Sequence, residues 1–153
     1  MSNTSQEFLA SAIPKAAANL EAALLRLPAD KRNWSPMGKA RTALDQVAEC
    51  AMLSGAMADL LRTRTMEDFD FAEYEQAKAA LAQDSDAVLP VLRENAAKVA
   101  AAIRAVPDED LGIQIPLPFG LMTLAQIIAH PLANMTYHEG QINYLASMLG
   151  CLE

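Results

Sequence analysis

The sequence has few aromatic residues, few cysteines and no cluster of basic residues. Aromatic side chains make up 5% of its 153 residues although hydrophobic residues make up 52%. The core must therefore consist of alanine, leucine, isoleucine, valine and methionine, a mixture that favours helices over sheets. Two cysteines, Cys50 and Cys151, cannot form a disulfide framework. The net charge of −7 disfavours nucleic-acid binding, because phosphate neutralisation requires a basic surface.

Two further absences concern location and activity. The N-terminal sequence MSNTSQEF has neither the basic nor the apolar region of a signal peptide. No apolar run reaches the roughly 18 residues that a membrane span requires. We therefore expect a cytoplasmic protein with reduced thiols that binds no membrane. The sequence also lacks a P-loop, a dinucleotide fingerprint, HExxH, CxxC and a nucleophile elbow, so no short motif identifies an activity.

Apolar residues at three- and four-residue steps predict four long helices and one short helix. The long helices are expected over residues 4–27, 42–62, 86–105 and 123–150, and the short one over residues 71–82. Thr4 with Glu7, and Thr123 with Gln126, have the spacing of capping boxes. Pro14 predicts a kink within the first helix. Residues 107–120 are expected to form an extended crossing without strands.

These elements predict one all-α domain over residues 1–153, folded as a four-helix bundle. The short helix lies in the connection between the second and third long helices. Because this connection is long, the topology need not be simple up-and-down. Tyr137, Gln141 and Tyr144 lie close to one stripe of the last helix, where they are candidates for lining a small pocket.

Both histidines of the chain lie in the last helix. His130, Asn134 and His138 are four residues apart, so their side chains follow one stripe of the helix. In the second helix, Glu49 lies among the inward-facing positions, where a carboxylate must be paired, hydrogen-bonded or metal-bound. Its neighbour Cys50 is expected to be buried, and burial beside an acid would raise the pKa of its thiol.

Several phrases of the sequence resemble the DinB/YfiT-like family of metal-dependent four-helix-bundle proteins. They are NWSP, TALDQVAEC, VPDEDL, PFGLMTLAQII and, above all, NMTYHEGQINYLASMLG. The last phrase is similar to the closing H-x-x-x-H-x-G-Q of that family, which is followed by an apolar run and a glycine. The resemblance implies a bundle of DinB/YfiT type and a homodimer.

The resemblance also implies a metal site. In that family three histidines hold a divalent metal, one from the second helix and two from the last. His138 matches the final histidine, whereas Asn134 and Glu49 occupy the positions of the other two. Glu49, Asn134 and His138 are thus candidate ligands for zinc or nickel, although this set is harder than three imidazoles. His130 lies about 12 Å from His138 along a straight helix, too far to share one ion.

Two classes of function follow. A variant metal site would imply thiol-dependent transferase, isomerase or hydrolase chemistry on an unnamed small-molecule substrate. Without a metal, Glu49 and His138 form either an acid–base dyad or a polar pair that fixes helix register. The second class is a non-catalytic small-molecule-binding or dimeric assembly protein that has lost the metal. In an enzyme the three side chains should converge on a cavity that solvent reaches. In a protein that has lost the metal, they should be closed off from solvent and hydrogen-bonded to one another.

Overall fold

Five α-helices and one β-hairpin are found in the computed structural model, which describes residues 4–66 and 69–152. The helices are α1 (Thr4–Arg26), α2 (Ala43–Thr63), α3 (Phe71–Leu81), α4 (Ser85–Arg104) and α5 (Leu124–Met148), and the strands are β1 (Gln114–Leu117) and β2 (Gly120–Thr123). The predicted all-α four-helix bundle, with a short helix between the second and third long helices, is confirmed.

Polar side chains cap the N-termini of helices α2, α3 and α4. The hydroxyl of Thr42 accepts a hydrogen bond from the Asp45 N–H at the start of α2. Asp70 caps α3, and Asp84 caps α4 one residue before its first turn. Because each side chain satisfies a backbone N–H that lacks a helical partner, these residues fix where the helices begin.

Helix α5 begins and ends as the sequence predicts. Thr123 and Gln126 form a capping box, in which each side chain bonds to the other residue's backbone N–H. At the other end Gly150 has a φ of 70°, a left-handed conformation that costs glycine little. The Cys151 N–H then donates to the Ala146 carbonyl over 2.9 Å, which closes the last turn.

Helix α1 runs without interruption through Pro14, so the prediction of one helix is correct. The predicted capping box of Thr4 with Glu7 depends on the Thr4 side chain, which lies outside the described part of the structure. Ser5–Arg26 has 22 residues and a mean hydropathy of 1.2, so it is long and apolar enough to cross a membrane. The sequence had been expected to contain no such segment. A core helix passes the same test, and Ile13 and Leu20 of α1 are fully buried inside the bundle.

The long helices pack in the order α1, α4, α2, α5 around the bundle. Helix α2 lies against α4 and α5, and α1 lies against the same two helices, so α1 and α2 are diagonal. This arrangement is not simple up-and-down. The core is filled by side chains from all four, including Leu24, Leu60, Leu92, Ile103, Ile127, Met135 and Ile142. Each such side chain contributes about 2 kcal/mol by leaving water.

The expected extended crossing contains a β-hairpin, so the prediction of no strand in this stretch was wrong. Strands β1 and β2 are antiparallel, with Ile115 opposite Met122. Ile115 and Leu117 point into the core while their neighbours are exposed. Alternation over only four residues, with prolines at 116 and 118, is too short a signal to predict a strand from the sequence.

Candidate functional site

The facing sides of α2 and α5 bring Glu49, Asn134 and His138 together. The His138 Nε2 atom lies 3.1 Å from Glu49 Oε1. The Asn134 amide donates to the same oxygen over 3.0 Å. The structure thus brings together the three side chains that the resemblance to the DinB/YfiT-like family implied. This is the polar cluster, defined as these three residues together with the groups that bond to them.

A cation holds the second oxygen of Glu49. Arg41 Nη1 lies 2.6 Å from Glu49 Oε2, and the Glu49 side chain remains 24% exposed. The pKa of Glu49 is lowered to about 2, first by the hydrogen bond with His138 and then by Asn134 and Arg41, against an opposing effect of burial. Glu49 is therefore a carboxylate at every ordinary pH.

His138 is enclosed, with its side chain only 4% exposed. Its Nδ1 atom lies 2.9 Å from the side-chain oxygen of Gln46 and 2.9 Å from that of Gln141. Since Nε2 faces Glu49, both ring nitrogens already have partners. A general base needs a nitrogen within reach of a substrate proton, and this ring offers none.

Arg41 belongs to a chain of charges that the sequence analysis missed. Its Nε bonds to Asp45 Oδ2 over 2.5 Å. Lys78 of α3 lies 3.5 Å from the other oxygen of Asp45 and 2.9 Å from Glu75. A partial signal was available, because Asp45 and Glu49 share one side of α2 at a four-residue step and Arg41 lies in the loop four residues before Asp45.

His130, Cys50 and Tyr74 are not part of the polar cluster. His130 has no hydrogen bond to the polar cluster among the described residues. Cys50 is fully buried, and burial followed by the charge of Glu49 raises the pKa of its thiol, as predicted for a core cysteine. Burial and the same carboxylate raise the pKa of Tyr74 to about 12. The Cys50 thiol and the Tyr74 hydroxyl therefore stay protonated at neutral pH.

The polar cluster does not fit a divalent metal as it stands. Asn134 turns its N–H toward Glu49, and its oxygen is buried without a partner among the described residues. Arg41 occupies the free oxygen of Glu49 with positive charge. No group of three His, Cys, Asp or Glu residues in the described part of the chain could hold a metal. A metal would first have to displace these bonds, and metal binding by Glu49, Asn134 and His138 stays a prediction.

A cleft of about 560 Å³ adjoins the polar cluster between α5 and the loop before α2. Its walls include Lys39, Arg41, Gln46, Tyr137, Gln141, Tyr144 and Met148. We call it the tyrosine cleft after Tyr137 and Tyr144 in its walls. These two side chains are 64% and 69% exposed. Gln46 and Gln141 line the cleft and also contact His138, so the cleft and the cluster share two side chains.

Comparison with known proteins agrees with this architecture. A model of the DinB superfamily matches residues 12–142. YfiT from Bacillus subtilis, described as a probable metal-dependent hydrolase with an unusual four-helix bundle topology, superposes with a TM-score of 0.78 at 16% identity. The superposition covers 98% of this chain and 90% of YfiT, and at this identity it establishes the fold alone. A search of curated proteins gave no match. Because the family model spans most of its length, the chain belongs to the DinB superfamily.

Proposed function

We propose that this chain is a small-molecule-binding protein whose ligand occupies the tyrosine cleft. The observation that carries the proposal is the sharing of Gln46 and Gln141 between the open cleft and the hydrogen-bonded polar cluster. In this reading the cluster is a rigid wall of the binding site. A volume of about 560 Å³ is within the usual range for small-molecule sites.

The chemistry of the cleft favours a compact organic anion. Lys39 is a cation in its lining, Arg41 adds a guanidinium that is already paired with Asp45 and Glu49, and no acidic side chain lines the cleft among the described residues. Tyr137, Tyr144 and Met148 offer an exposed apolar surface for a ring or a short aliphatic body. In a chain of net charge −7, a cleft with this lining would attract anions that the rest of the surface repels.

The test uses benzoate, which combines a ring with a carboxylate. We expect calorimetry to give a dissociation constant of about 1 mM, or about −4 kcal/mol, and weaker binding of benzylamine. Gly140 lines the cleft, and a Cβ there would meet no atom within 4 Å. Gly140→Leu should therefore fill the cleft without disturbing the fold and weaken benzoate binding at least tenfold.

Ala133→Leu is the matched control, because Ala133 is exposed on the same helix but outside the cleft. It should bind benzoate as the wild type does. Equal binding by the wild type, Gly140→Leu and Ala133→Leu would place the ligand elsewhere. Equal binding of benzoate and benzylamine would contradict the preference for anions.

A second candidate function is hydrolysis, as in the description of YfiT. Its support is the shared fold and the 24% exposure of Glu49, which gives solvent a path to the polar cluster. The test is the hydrolysis of p-nitrophenyl acetate with added zinc or nickel, in the wild type and in His138→Ala. Equal rates in both proteins would remove this candidate.

The predicted homodimer is also a proposal. Phe119 and Leu121 of the β-hairpin are exposed apolar side chains outside the tyrosine cleft, and they would support it as a contact surface. Light scattering after gel filtration should give twice the chain mass of 16.5 kDa. A single chain mass at high protein concentration would contradict the dimer.

A further inference from the structure

The position of Arg41 beside Glu49 carries an inference that does not depend on the tyrosine cleft. A partly buried carboxylate such as Glu49 is stabilised by a partner of opposite charge. In metal sites that partner is the ion, whereas here it is a guanidinium 2.6 Å from Glu49 Oε2. The remaining Glu49 oxygen is shared between His138 and Asn134. The positive charge that this carboxylate needs is therefore already built into the chain.

The guanidinium is held in place from its other side. Arg41 Nε bonds to Asp45 Oδ2, and Arg41 Nη2 donates to the Asp45 carbonyl over 3.3 Å. The Asp45 backbone N–H is bonded in turn to the Thr42 hydroxyl that caps α2. Lys78 faces the second carboxylate oxygen of Asp45. Arg41 is thus positioned by the helix start itself.

A divalent ion at Glu49 would lie within a few ångströms of this guanidinium. Like charges at such distances repel strongly where the surroundings are partly buried. The Arg41 side chain is 34% exposed, so it could move outward only by leaving both Asp45 and Glu49. We propose that Arg41 takes the electrostatic place of a divalent metal beside Glu49 and excludes such ions from the polar cluster.

The experiment compares zinc and nickel binding by the wild type, Arg41→Met and Arg41→Lys, using calorimetry and native mass spectrometry. We expect the wild type to bind zinc and nickel no more tightly than Glu49→Gln does. Arg41→Met should gain one ion with at least tenfold higher affinity, and the double variant Arg41→Met/Glu49→Gln should lose that gain. Arg41→Lys keeps the charge and should gain nothing. Arg26→Met is the matched control, since Arg26 bonds to Asn143 away from the cluster.

Circular dichroism checks that each variant is folded, and Arg41→Gln serves as a second neutral replacement. A folded Arg41→Met or Arg41→Gln without any gain in affinity would overturn the proposal. So would a stoichiometric ion in the wild type that disappears in Glu49→Gln, a result that does not depend on any Arg41 variant. Neither outcome bears on benzoate binding, so this proposal and the proposed function can fail separately.

Discussion

The two sides of α2 pack by different chemistry. Toward α4 the helix presents Gly55, where Asn95 approaches so closely that its amide bonds to the Ala51 carbonyl over 2.9 Å. Toward α5 the same helix presents Glu49 within the polar cluster. The first contact is close packing that allows little change, and the second is a hydrogen-bonded group of charges. The difference indicates that α4 fixes the position of α2, whereas the α5 side is where chemistry can vary within the fold.

Removing His138 should give the largest effect, because it empties the centre of the polar cluster. His138→Ala leaves the Gln46 oxygen and one Glu49 contact unsatisfied and opens a cavity. We expect a loss of about 3 kcal/mol in the free energy of unfolding, measured by urea denaturation. Thr136→Ala is the control, because Thr136 is exposed on the same helix and its hydroxyl bonds only to the Leu132 and Ala133 carbonyls. A loss below about 1 kcal/mol for His138→Ala would mean that the cluster adds little to stability.

The α5-facing side of α2, which carries Glu49, should make the stability of the protein depend on pH. The pKa of Glu49 in the folded protein is about 2, below its ordinary value of 4.5. Its stabilising contribution is therefore complete above pH 4.5 and is lost as the pH falls toward 2, by at most about 3 kcal/mol. The difference in unfolding free energy between wild type and Glu49→Gln should shrink over this range. A constant difference would contradict the assignment.

Substitution of Gly55 tests the side that faces α4. A Cβ on Gly55 would lie 2.7 Å from the Asn95 side-chain nitrogen, so the amide must move away from the Ala51 carbonyl. We expect Gly55→Ala to lower the free energy of unfolding by about 1–2 kcal/mol, despite the better helix propensity of alanine. In an Asn95→Ala background the same substitution should be neutral or stabilising. An equal loss in both backgrounds would exclude Asn95 as the cause.

Substitution of Gly140 should give the smallest change in the free energy of unfolding, and its sign should be opposite to that at Gly55. Both glycines lie within helices, but a Cβ on Gly140 would meet no atom within 4 Å. Gly140→Ala should therefore raise the free energy of unfolding by about 1 kcal/mol, because alanine restricts the unfolded chain and favours the helix. Thermal unfolding would show this as a higher midpoint. A lower midpoint would mean that Gly140 packs against a partner, such as a second chain.

Local signals in the sequence were sufficient for much of the fold. Helix starts at Thr42 and Thr123 depend on side chains three residues from their partners, and Gly150 ends α5 through its own backbone freedom. Such interactions join residues that are near in sequence, so a pattern reveals them. The β-hairpin escaped prediction because its burial depends on packing against the bundle, and its strands are only four residues long.

The candidate site divides in the same way. The four-residue spacing placed Asn134 and His138 on one stripe of the last helix, and the resemblance to the DinB/YfiT-like family implied that Glu49 of the second helix would meet them. Whether they meet as metal ligands or as hydrogen-bond partners depends on what else approaches them. Gln46 reaches His138 across 92 positions of the chain, and the orientation of the Asn134 amide is set by Glu49 across 85.

The sequence by itself determined the helices and their apolar faces, because these follow from periodicity and short-range capping, and the resemblance to the DinB/YfiT-like family named Glu49, Asn134 and His138. Only the tertiary structure decided the diagonal placement of α1 and α2, the hairpin, and the closure of the cluster around Arg41. The physical reason is that a charge or an amide takes its role from the groups within about 3 Å of it. Those neighbours come from elements far apart in the chain, which only the packed bundle brings together.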